Sequence, residues 1–262
     1  MQTEFTKIRA VKEYNFRFCI CTIVNDEAEY DLMKQSFETA GFIGDCQYLI
    51  ADNTAENNFD AYAAIRRFLQ ESDAAYTIIV HQDVHCEDSR DILDKCLKSL
   101  DEKDPSWAIC GNAGAAEYKK IIYHLKIAGD ERKSRDLPKR VYSLDENLLI
   151  IKTETLISVS ANIRNFHFYG TDICIVADML GYTSFVIPFM VKHLSKGNLV
   201  DMELKKTAFV KAYGYKLRRR FIQTTCTNFY LGKSQNQNEL LNSKIIFFWV
   251  KAKTRLKNLF RR

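Results

Sequence analysis

The sequence has few residues that break regular structure, with three prolines and ten glycines among 262 residues. This scarcity argues against a fibrous or loop-rich protein. There are eight cysteines but no pair with CxxC spacing, so a structural zinc knuckle has little support. The longest late apolar stretch, 245–250, is far shorter than the roughly 20 residues that a transmembrane helix needs.

The residues that are abundant predict a globular protein. Hydrophobic residues make up 47% of the chain and charged residues 27%, which is enough for a sizeable core. Residues 1–15 are polar and lack the apolar centre of a signal peptide. Most cysteines lie inside apolar runs, as at Cys19 and Cys21, so we expect reduced, buried thiols and a cytoplasmic location.

The formal net charge of +5 is distributed unevenly along the chain. Residues 205–262 contain fifteen lysines and arginines and one acidic residue, Glu239, whereas acidic residues outnumber basic ones over 1–204. The C-terminal part alone is therefore predicted to meet a polyanion, either phospholipid or nucleic acid.

Apolar runs alternate with stretches of helical spacing in the first half of the chain. The runs typical of buried strands are 16–24, 46–51, 76–80 and 107–110, and helical stripes lie within 32–40, 59–69 and 92–100. Further elements are predicted as a mobile charged loop at 126–140, strands at 147–152 and 182–188, and a helix at 172–180. The alternation predicts a Rossmann-like α/β domain over 1–200, with a central, mostly parallel (mixed) sheet flanked by helices. A helical, basic C-terminal extension is predicted over 201–262.

Polar side chains follow three predicted strands at the points where the strands end. They lie at Thr22–Asp26, at Asp52 and Asn53, and at His81–Asp83. In an open parallel sheet such ends converge on one crevice, where carboxylates and amides recognise a nucleotide. The structural alternative is that each group only caps the start of a loop.

The segment His81-Gln82-Asp83-Val84-His85 has a metal-ligating pattern. Strand alternation would put His81, Asp83 and His85 on one side. Carboxylate and imidazole both ligate a divalent ion such as Mn²⁺, which would stabilise a departing diphosphate as a Lewis acid. The alternative is a surface loop with two ordinary histidines.

Six segments occur in an order and spacing that resemble a known family. They are CTIVNDE, IADNTAENN, IIVHQDVH, YSLDENLLIIKTE, FHFYGTDICIVADMLGY and VIPFMVKHLSKG. Over about Phe16–Gly197 the chain resembles a family 2-like glycosyltransferase of the A-type (GT-A) fold. The resemblance is greatest to the bacterial subgroup that has His-Gln-Asp in place of Asp-x-Asp.

The resemblance implies the transfer of a sugar from a nucleoside-diphosphate sugar, and a UDP-sugar is the expected donor. Mn²⁺ or Mg²⁺ would be the cofactor. The residues expected to bind the nucleotide sugar are Thr22, Asn25, Asp52, Asn53, Gln82 and Asp145. The expected metal ligands are Asp83, His193 and His81. Two positions depart from the family pattern, because His81 replaces the first acid of Asp-x-Asp and Thr171 replaces the acid that usually precedes the base.

The resemblance assigns Asp172 as the catalytic base of an inverting transfer. Such a transfer needs a carboxylate that takes the proton of the acceptor hydroxyl as it attacks the anomeric carbon. The alternative is a helix N-cap, because an apolar helical stripe follows directly, and the two roles are compatible.

Asp145 or Glu146 is a further candidate for contact with sugar or acceptor. The aromatic run Phe166–Tyr169 is assigned to the core in preference to a sugar-stacking platform.

The segment Ile245–Phe260 has its aromatic and aliphatic residues on one helical side, interspersed with lysines and arginine. This pattern predicts a helix on an anionic membrane, at the cytoplasmic face of the inner membrane. The acceptor would then be a lipid-linked glycan, a surface polysaccharide or a glycoprotein. A helix packed on the catalytic domain or on a second subunit is the alternative, and nucleic acid is not expected because no recognition module accompanies the charge.

Two other classes of function stay open at this point. A metal-dependent nucleotidyltransferase would share the fold, but it usually has a glycine-rich, basic phosphate loop near the first strand, and CTIVNDE has none. A non-catalytic module that binds nucleotide sugar or membrane is the second alternative.

Overall fold

The computed structural model describes residues 10, 12–117, 120–195, 200–225, 227–243 and 248. The chain divides into two compact units, Met1–Met202 and Glu203–Arg262. Whether each unit is a domain in its own right, as predicted for 1–200 and 201–262, stays a prediction.

The first half of the first unit alternates strands and helices as the apolar periodicity predicts. Its strands are β1 (Phe16–Val24), β2 (Cys46–Asp52), β3 (Ala74–Val80), β4 (Val84–Cys86) and β5 (Trp107–Gly111). Its helices are α1 (Glu27–Thr39), α2 (Ala61–Glu71) and α3 (Arg90–Lys103). Asp26 caps α1, since its carboxylate accepts the backbone N–H groups of Ala28 and Glu29.

The second half of the first unit is richer in strands. They are β6 (Ala113–Glu117), β7 (Lys120–Ile127), β8 (Asp130–Lys133), β9 (Lys139–Val141), β10 (Ser143–Leu144), β11 (Leu148–Lys152), β12 (Thr183–Val186) and β13 (Val191–His193). A 3₁₀ turn (Thr153–Thr155) follows β11, and α4 (Tyr169–Met179) precedes β12.

The prediction of a mobile loop over 126–140 is wrong, because this segment contains β8 and parts of β7 and β9. β7 and β8 pair antiparallel, and Gly129, with a φ of 96°, joins them. All four residues of β8 are exposed, so their charges remain in water. The charge run that indicated a loop belongs to an edge strand, where charged side chains are common.

Seven strands form the central sheet in the order β2-β1-β3-β11-β5-β12-β9. β1 pairs in parallel with β2 and β3, and β12 pairs in parallel with β5. β11 is antiparallel to both β3 and β5, and β9 is antiparallel to β12. The predicted mixed α/β sheet is therefore confirmed, although only half of its pairings are parallel.

The core of the first unit forms where these strands carry unbroken apolar runs. Phe18, Ile78, Trp107 and Ile150 are at most 1% exposed and belong to one cluster. Trp107 stacks on Tyr76 with ring centroids 6.1 Å apart, and its indole N–H donates to Asp101. Such a core holds the strand ends in fixed positions.

A second sheet, in the order β10-β6-β7-β13-β4 with β8 on β7, lies beside the polar strand ends. β13 pairs antiparallel with β4, so that His193 is opposite Val84. The backbone N–H of Leu194 donates to the Asp83 carbonyl at 3.0 Å. The two strands therefore bring His193 next to Asp83, although 110 positions separate them in the sequence.

The second unit contains α5 (Met202–Lys216), β14 (Arg220–Gln223), β15 (Asn228–Leu231) and α6 (Gln235–Asn242). A wholly helical extension was the expectation, and the β14–β15 hairpin corrects it. Both strands contain aromatic residues, which favour strands over helices. The predicted amphipathic helix at 245–260 lies outside the described residues except for Phe248. Among the described helices, none has the length and apolar character required to cross a membrane.

Candidate functional site

A cavity of about 390 Å³ lies where β1 and β3 end. Its apolar lining is Ile23, Ala61, Ile65, Ile79, Val80 and Phe166, and its polar lining is Asn25, Glu29, Asn53, Asn57, His81, Gln82, Asp83 and Tyr169. Among the residues predicted to bind the nucleotide sugar, Asn25, Asn53 and Gln82 line this cavity. The predicted metal ligands His81 and Asp83 line it as well.

The three predicted metal ligands form a single cluster. Each of His81, Asp83 and His193 offers one ligand atom, and these atoms all lie within 4.8 Å of one another. His193 Nε2 is 3.3 Å from Asp83 Oδ2. His85 is not in this cluster, because a turn separates β3 from β4 and the expected strand alternation does not run through it.

The pKa shifts of Asp83 and His81 suit a cation. Burial opposes ionisation of Asp83, but hydrogen bonds from His193 and Ser195 and the nearby imidazoles outweigh it and lower the pKa of the carboxyl. Burial lowers the pKa of His81, and His193 adds to this effect. An ionised carboxylate and a neutral imidazole are the forms that ligate metals, so the residues present fit a divalent ion such as Mn²⁺.

Tyr169 fixes the tautomer of His81, and sequence reasoning gave this residue no part in the site. The Tyr169 hydroxyl donates to the Glu146 carbonyl at 3.1 Å and lies 2.7 Å from His81 Nε2. With the one hydroxyl proton given to the Glu146 carbonyl, Nε2 of His81 is the donor in the second bond. Nδ1 of His81 then carries the lone pair that a metal would use.

Gln82 joins two loops of the site. Its carbonyl oxygen accepts the backbone N–H groups of Asn25 and Asp26, at 2.9 and 3.2 Å. Its amide nitrogen donates to Asn25 Oδ1 at 2.6 Å and to Glu29 Oε2 at 2.8 Å. The Gln82 side chain therefore connects the β1–α1 loop to the β3–β4 turn. These hydrogen bonds hold Asn25 at the cavity.

Asn53 shapes a neighbouring loop in the same manner. Its side chain accepts the backbone N–H of Phe59 and donates to the Phe59 carbonyl, both at 2.9 Å. These bonds close the loop that brings Asn57 to the cavity. Asn57 is not among the residues that the sequence predicts to bind the nucleotide sugar.

Three residues predicted to bind the nucleotide sugar do not line the cavity. Thr22 is 1% exposed, and its hydroxyl has no hydrogen-bond partner among the described residues. Asp52 accepts the backbone N–H and hydroxyl of Thr54, and Asp145 accepts from the backbone and side chain of Asn147. A direct role for these three residues stays a prediction.

Asp172, the predicted catalytic base, is fully buried. Its two carboxylate oxygens accept the backbone N–H and the hydroxyl of Ser160, each at 2.6 Å. It does not line the cavity. The N-cap interpretation is wrong, because α4 begins at Tyr169 and Phe168 is its N-cap.

The aromatic run before α4 is divided between core and cavity. Both Phe166 and Tyr169 line the cavity, but Tyr169 is 3% exposed and packed in the core, whereas Phe166 is 45% exposed. The assignment of the whole run to the core is therefore corrected for Phe166. Phe168 has a φ of 65°, a left-handed conformation that costs on the order of 1–3 kcal/mol without glycine and is often found at functional sites.

Glu146 lies beside the start of α4. Its side chain is 18% exposed, and Oε2 is 3.9 Å from His167 Nδ1. Burial, with the Asp145 charge second, raises the pKa of Glu146 to about 8, against the opposing effect of the backbone N–H groups of residues 168–170. A Cβ at Gly170 would lie 2.4 Å from the Leu144 carbonyl oxygen and 3.3 Å from Glu146 Cγ, so only glycine permits this close approach.

Comparison with solved structures places the fold in a class. The chain shares the fold of the mannosyltransferase PcManGT from Pyrobaculum calidifontis, solved in complex with GDP-Man and Mn²⁺. The TM-score is 0.50 at 13% sequence identity, over 77% of this chain and 68% of that chain. At this identity the likeness establishes the fold, which is a glycosyltransferase fold, and not the reaction.

A sequence relative gives the family. The chain is 30% identical over 200 residues to the protein named ATP synthase subunits region ORF 6 from Fuscovulum blasticum, a match over 73% of this chain and 80% of that protein. The chain belongs to the family of this protein, whose name states no reaction. No protein-family model matches the chain.

Proposed function

We propose that this protein transfers a sugar from a nucleoside-diphosphate sugar to a hydroxyl acceptor, with a divalent cation held by His81, Asp83 and His193. The observation that carries the proposal is the cavity at the ends of β1 and β3, with the ligand cluster at its edge. A volume of about 390 Å³ is within the usual range for small-molecule sites.

The lining of the cavity suits a nucleotide sugar. Asn25, Asn53 and Asn57 offer amide groups that pair with a base or with ribose and sugar hydroxyls. Phe166 offers an exposed aromatic ring on which a base or a sugar can stack. The apolar lining residues, among them Ile65 and Ile79, would exclude water from the parts of a ligand that contact them.

The candidate metal ligands lie at the edge of the cavity, next to the place that the diphosphate of a bound nucleotide sugar would occupy. Asp83 and His81 line the cavity, so a cation on them would reach the phosphates of a ligand inside it. When bound, a divalent cation would act as a Lewis acid and stabilise the departing nucleoside diphosphate. Tyr169 would hold the His81 ring so that Nδ1 meets the cation.

The comparison with PcManGT supports the proposal at the level of fold, because that protein was solved with GDP-Man and Mn²⁺. We propose further that the chain is a member of the family 2-like group with His-Gln-Asp in place of Asp-x-Asp. A UDP-sugar is the donor to test first, and GDP-Man the second.

The proposal is tested with a panel of nucleotide sugars in thermal unfolding, each with and without Mn²⁺. We expect one nucleotide sugar to raise the unfolding midpoint more in the presence of Mn²⁺ than in its absence, because ligand binding stabilises the folded state. Release of nucleoside diphosphate from that donor then measures turnover. A panel in which no nucleotide sugar raises the midpoint contradicts the proposal.

Matched histidine variants connect the result to the cluster. His193→Gln should abolish the Mn²⁺-dependent part of the stabilisation. His85→Gln should retain it, because His85 lies on the paired strand but outside the cluster. Equal effects of the two substitutions would show that the ligand cluster does not hold the cation.

The second unit is proposed to contact an anionic membrane surface. On α5, Leu204 and Val210 are 70% and 62% exposed, and Arg218, Arg219 and Arg220 follow the helix as exposed cations. Exposed apolar side chains and exposed cations in the same unit suit the headgroup region of such a membrane. Sedimentation with phosphatidylglycerol vesicles, compared with phosphatidylcholine vesicles, should show binding to the former only.

Deletion of residues 244–262 separates the contribution of the predicted tail helix from that of α5. The deletion keeps α6, whose Asn242 bonds to the Tyr230 carbonyl of the hairpin. We expect weaker binding to anionic vesicles. Undiminished binding would exclude a role for the tail, and binding to nucleic acid but not to vesicles would overturn the membrane proposal.

A further inference from the structure

Glu29 places a carboxylate in the lining of the cavity from the first turn of α1. The turn is fixed by Asp26, whose carboxylate accepts the backbone N–H of Glu29 at 3.1 Å. Oε2 of Glu29 accepts the amide N–H of Gln82 at 2.8 Å, while Oε1 accepts no hydrogen bond from the described residues. Glu29 is exposed, so this oxygen is open to a ligand.

The charge of Glu29 is not compensated within the cavity. Glu29 and Asp83 are the carboxylates of the lining, and Asp83 has the His193 ring at 3.3 Å and belongs to the candidate cation cluster. Glu29 is held by a neutral amide, and the described residues that line the cavity include no lysine or arginine. A diphosphate next to Glu29 would bring two like charges together. Glu29 should therefore face a neutral part of a bound nucleotide.

The order of groups in a nucleoside diphosphate indicates which neutral part this is. The diphosphate belongs at the cation ligands His81 and Asp83, and the planar base suits the apolar lining beside the Phe166 ring. The ribose joins base and diphosphate, so it must lie between these two places. Gln82 lies between the two cation ligands in the sequence, and its side chain holds Glu29 at that part of the cavity.

We propose that the Glu29 carboxylate accepts the 2′ and 3′ hydroxyls of the ribose and so selects ribonucleotides over 2′-deoxyribonucleotides. This inference rests on the proposed function, of which it specifies the donor class. A carboxylate only accepts hydrogen bonds, and a vicinal diol offers two O–H donors to it. Such bonds to an ionised group are stronger than neutral ones. A 2′-deoxyribose lacks one of the two donors and would leave the carboxylate partly unpaired.

The experiment measures equilibrium binding of four nucleotides at saturating Mn²⁺, namely UDP, 2′-deoxy-UDP, GDP and 2′-deoxy-GDP. Wild-type protein should bind the ribonucleotide of the recognised base about tenfold more tightly than its deoxy counterpart, the usual contribution of one hydrogen bond to a charged group. In Glu29→Ala the difference should fall to within threefold, because both sugars then meet the same surroundings.

The ratio of the two affinities separates a direct contact from a structural role. Glu29→Ala also removes a partner of Gln82, and a displaced Gln82 would weaken both nucleotides alike without changing the ratio. Glu27→Ala is the matched control, because Glu27 is an exposed carboxylate of the same helical turn that does not line the cavity. It should keep the tenfold ratio. Thermal unfolding checks that both variants are folded.

The outcomes separate this inference from the proposed function. A wild type that binds no nucleoside diphosphate and no nucleotide sugar defeats the proposed function itself. A wild type that binds ribonucleotide and deoxyribonucleotide within threefold of each other overturns the inference alone. A tenfold ratio that persists in Glu29→Ala overturns it too, and a changed preference between UDP and GDP in that variant would then assign the carboxylate to the base.

Discussion

Asp83, just before β4, and Glu146, beside the start of α4, each have 18% of the side chain exposed. Their pKa values are nevertheless shifted in opposite directions. Asp83 lies 3.3 Å from the His193 ring and also receives a hydrogen bond from Ser195, and its pKa is lowered. Burial, with the charge of Asp145 second, raises the pKa of Glu146 to about 8, and the His167 imidazole is 3.9 Å away. Burial opposes ionisation of both carboxylates, but the partners of Asp83 outweigh it, whereas the Asp145 charge adds to it at Glu146.

This difference teaches which carboxylate suits which task. A carboxylate that stays ionised, next to imidazoles, is suited to bind a cation. A carboxylate that gains and loses a proton near neutral pH is suited to move one. Asp172 is a third case, because it is buried and both of its oxygens accept hydrogen bonds from Ser160, as in a structural hydrogen-bond network.

The largest effect is expected at the cation corner, for Asp83→Asn. The substitution removes the only carboxylate of the ligand cluster, so Mn²⁺-dependent donor binding should weaken by about a hundredfold or more, the upper range for changes around metal ligands. Titration of Mn²⁺ in the presence of donor measures this loss. An affinity within threefold of the wild type would place the cation elsewhere.

At the start of α4, Asp172→Asn should mainly affect stability. The asparagine oxygen can accept the Ser160 N–H, and the asparagine amide can donate to the Ser160 hydroxyl, which accepts as well as donates. The second amide hydrogen then enters a fully buried place, where a donor without a partner costs about 2 kcal/mol. The free energy of unfolding in urea measures the cost. Asp178→Asn on the same helix is the control, because Asp178 is exposed and should cost almost nothing.

Tyr169→Phe tests the connection between the two regions. The substitution removes the hydroxyl that bonds both to His81 Nε2 and to the Glu146 carbonyl. Loss of such a second-shell partner typically lowers metal affinity by about 10–100-fold, and we expect about tenfold here. Mn²⁺ titration measures the change, with the exposed Tyr142→Phe as control. An unchanged affinity would mean that the two regions act independently.

The smallest effect is expected for Gln82→Ala. Gln82 holds Asn25 and Glu29 by partly exposed hydrogen bonds, each contributing about 1 kcal/mol. We expect donor affinity to fall by about fivefold while Mn²⁺ affinity stays unchanged, because Gln82 is not part of the ligand cluster. Equilibrium binding of donor and of Mn²⁺ measures the two effects separately. A parallel loss of Mn²⁺ affinity would show that the turn itself positions Asp83.

Local patterns predicted more of the fold than of the site. The apolar runs at β1, β3 and β5 are continuous, and each forms a largely buried strand, as such runs predict. The segment 126–140 was mispredicted because the charge of an exposed edge strand looks like the charge of a loop. The turn between Val80 and Val84 also escaped prediction, and with it the separation of His85 from the cluster.

The sequence by itself determined the alternating elements and the positions of polar groups at strand ends, because periodicity and residue type are local properties. Only the tertiary structure decided which groups meet and in which state. The β4–β13 pairing brings His193 to Asp83, and Ser160 donates two hydrogen bonds to the Asp172 carboxylate. Burial raises the pKa of Glu146. These outcomes depend on long-range packing and on the loss of water around each group, which no local pattern of residues contains.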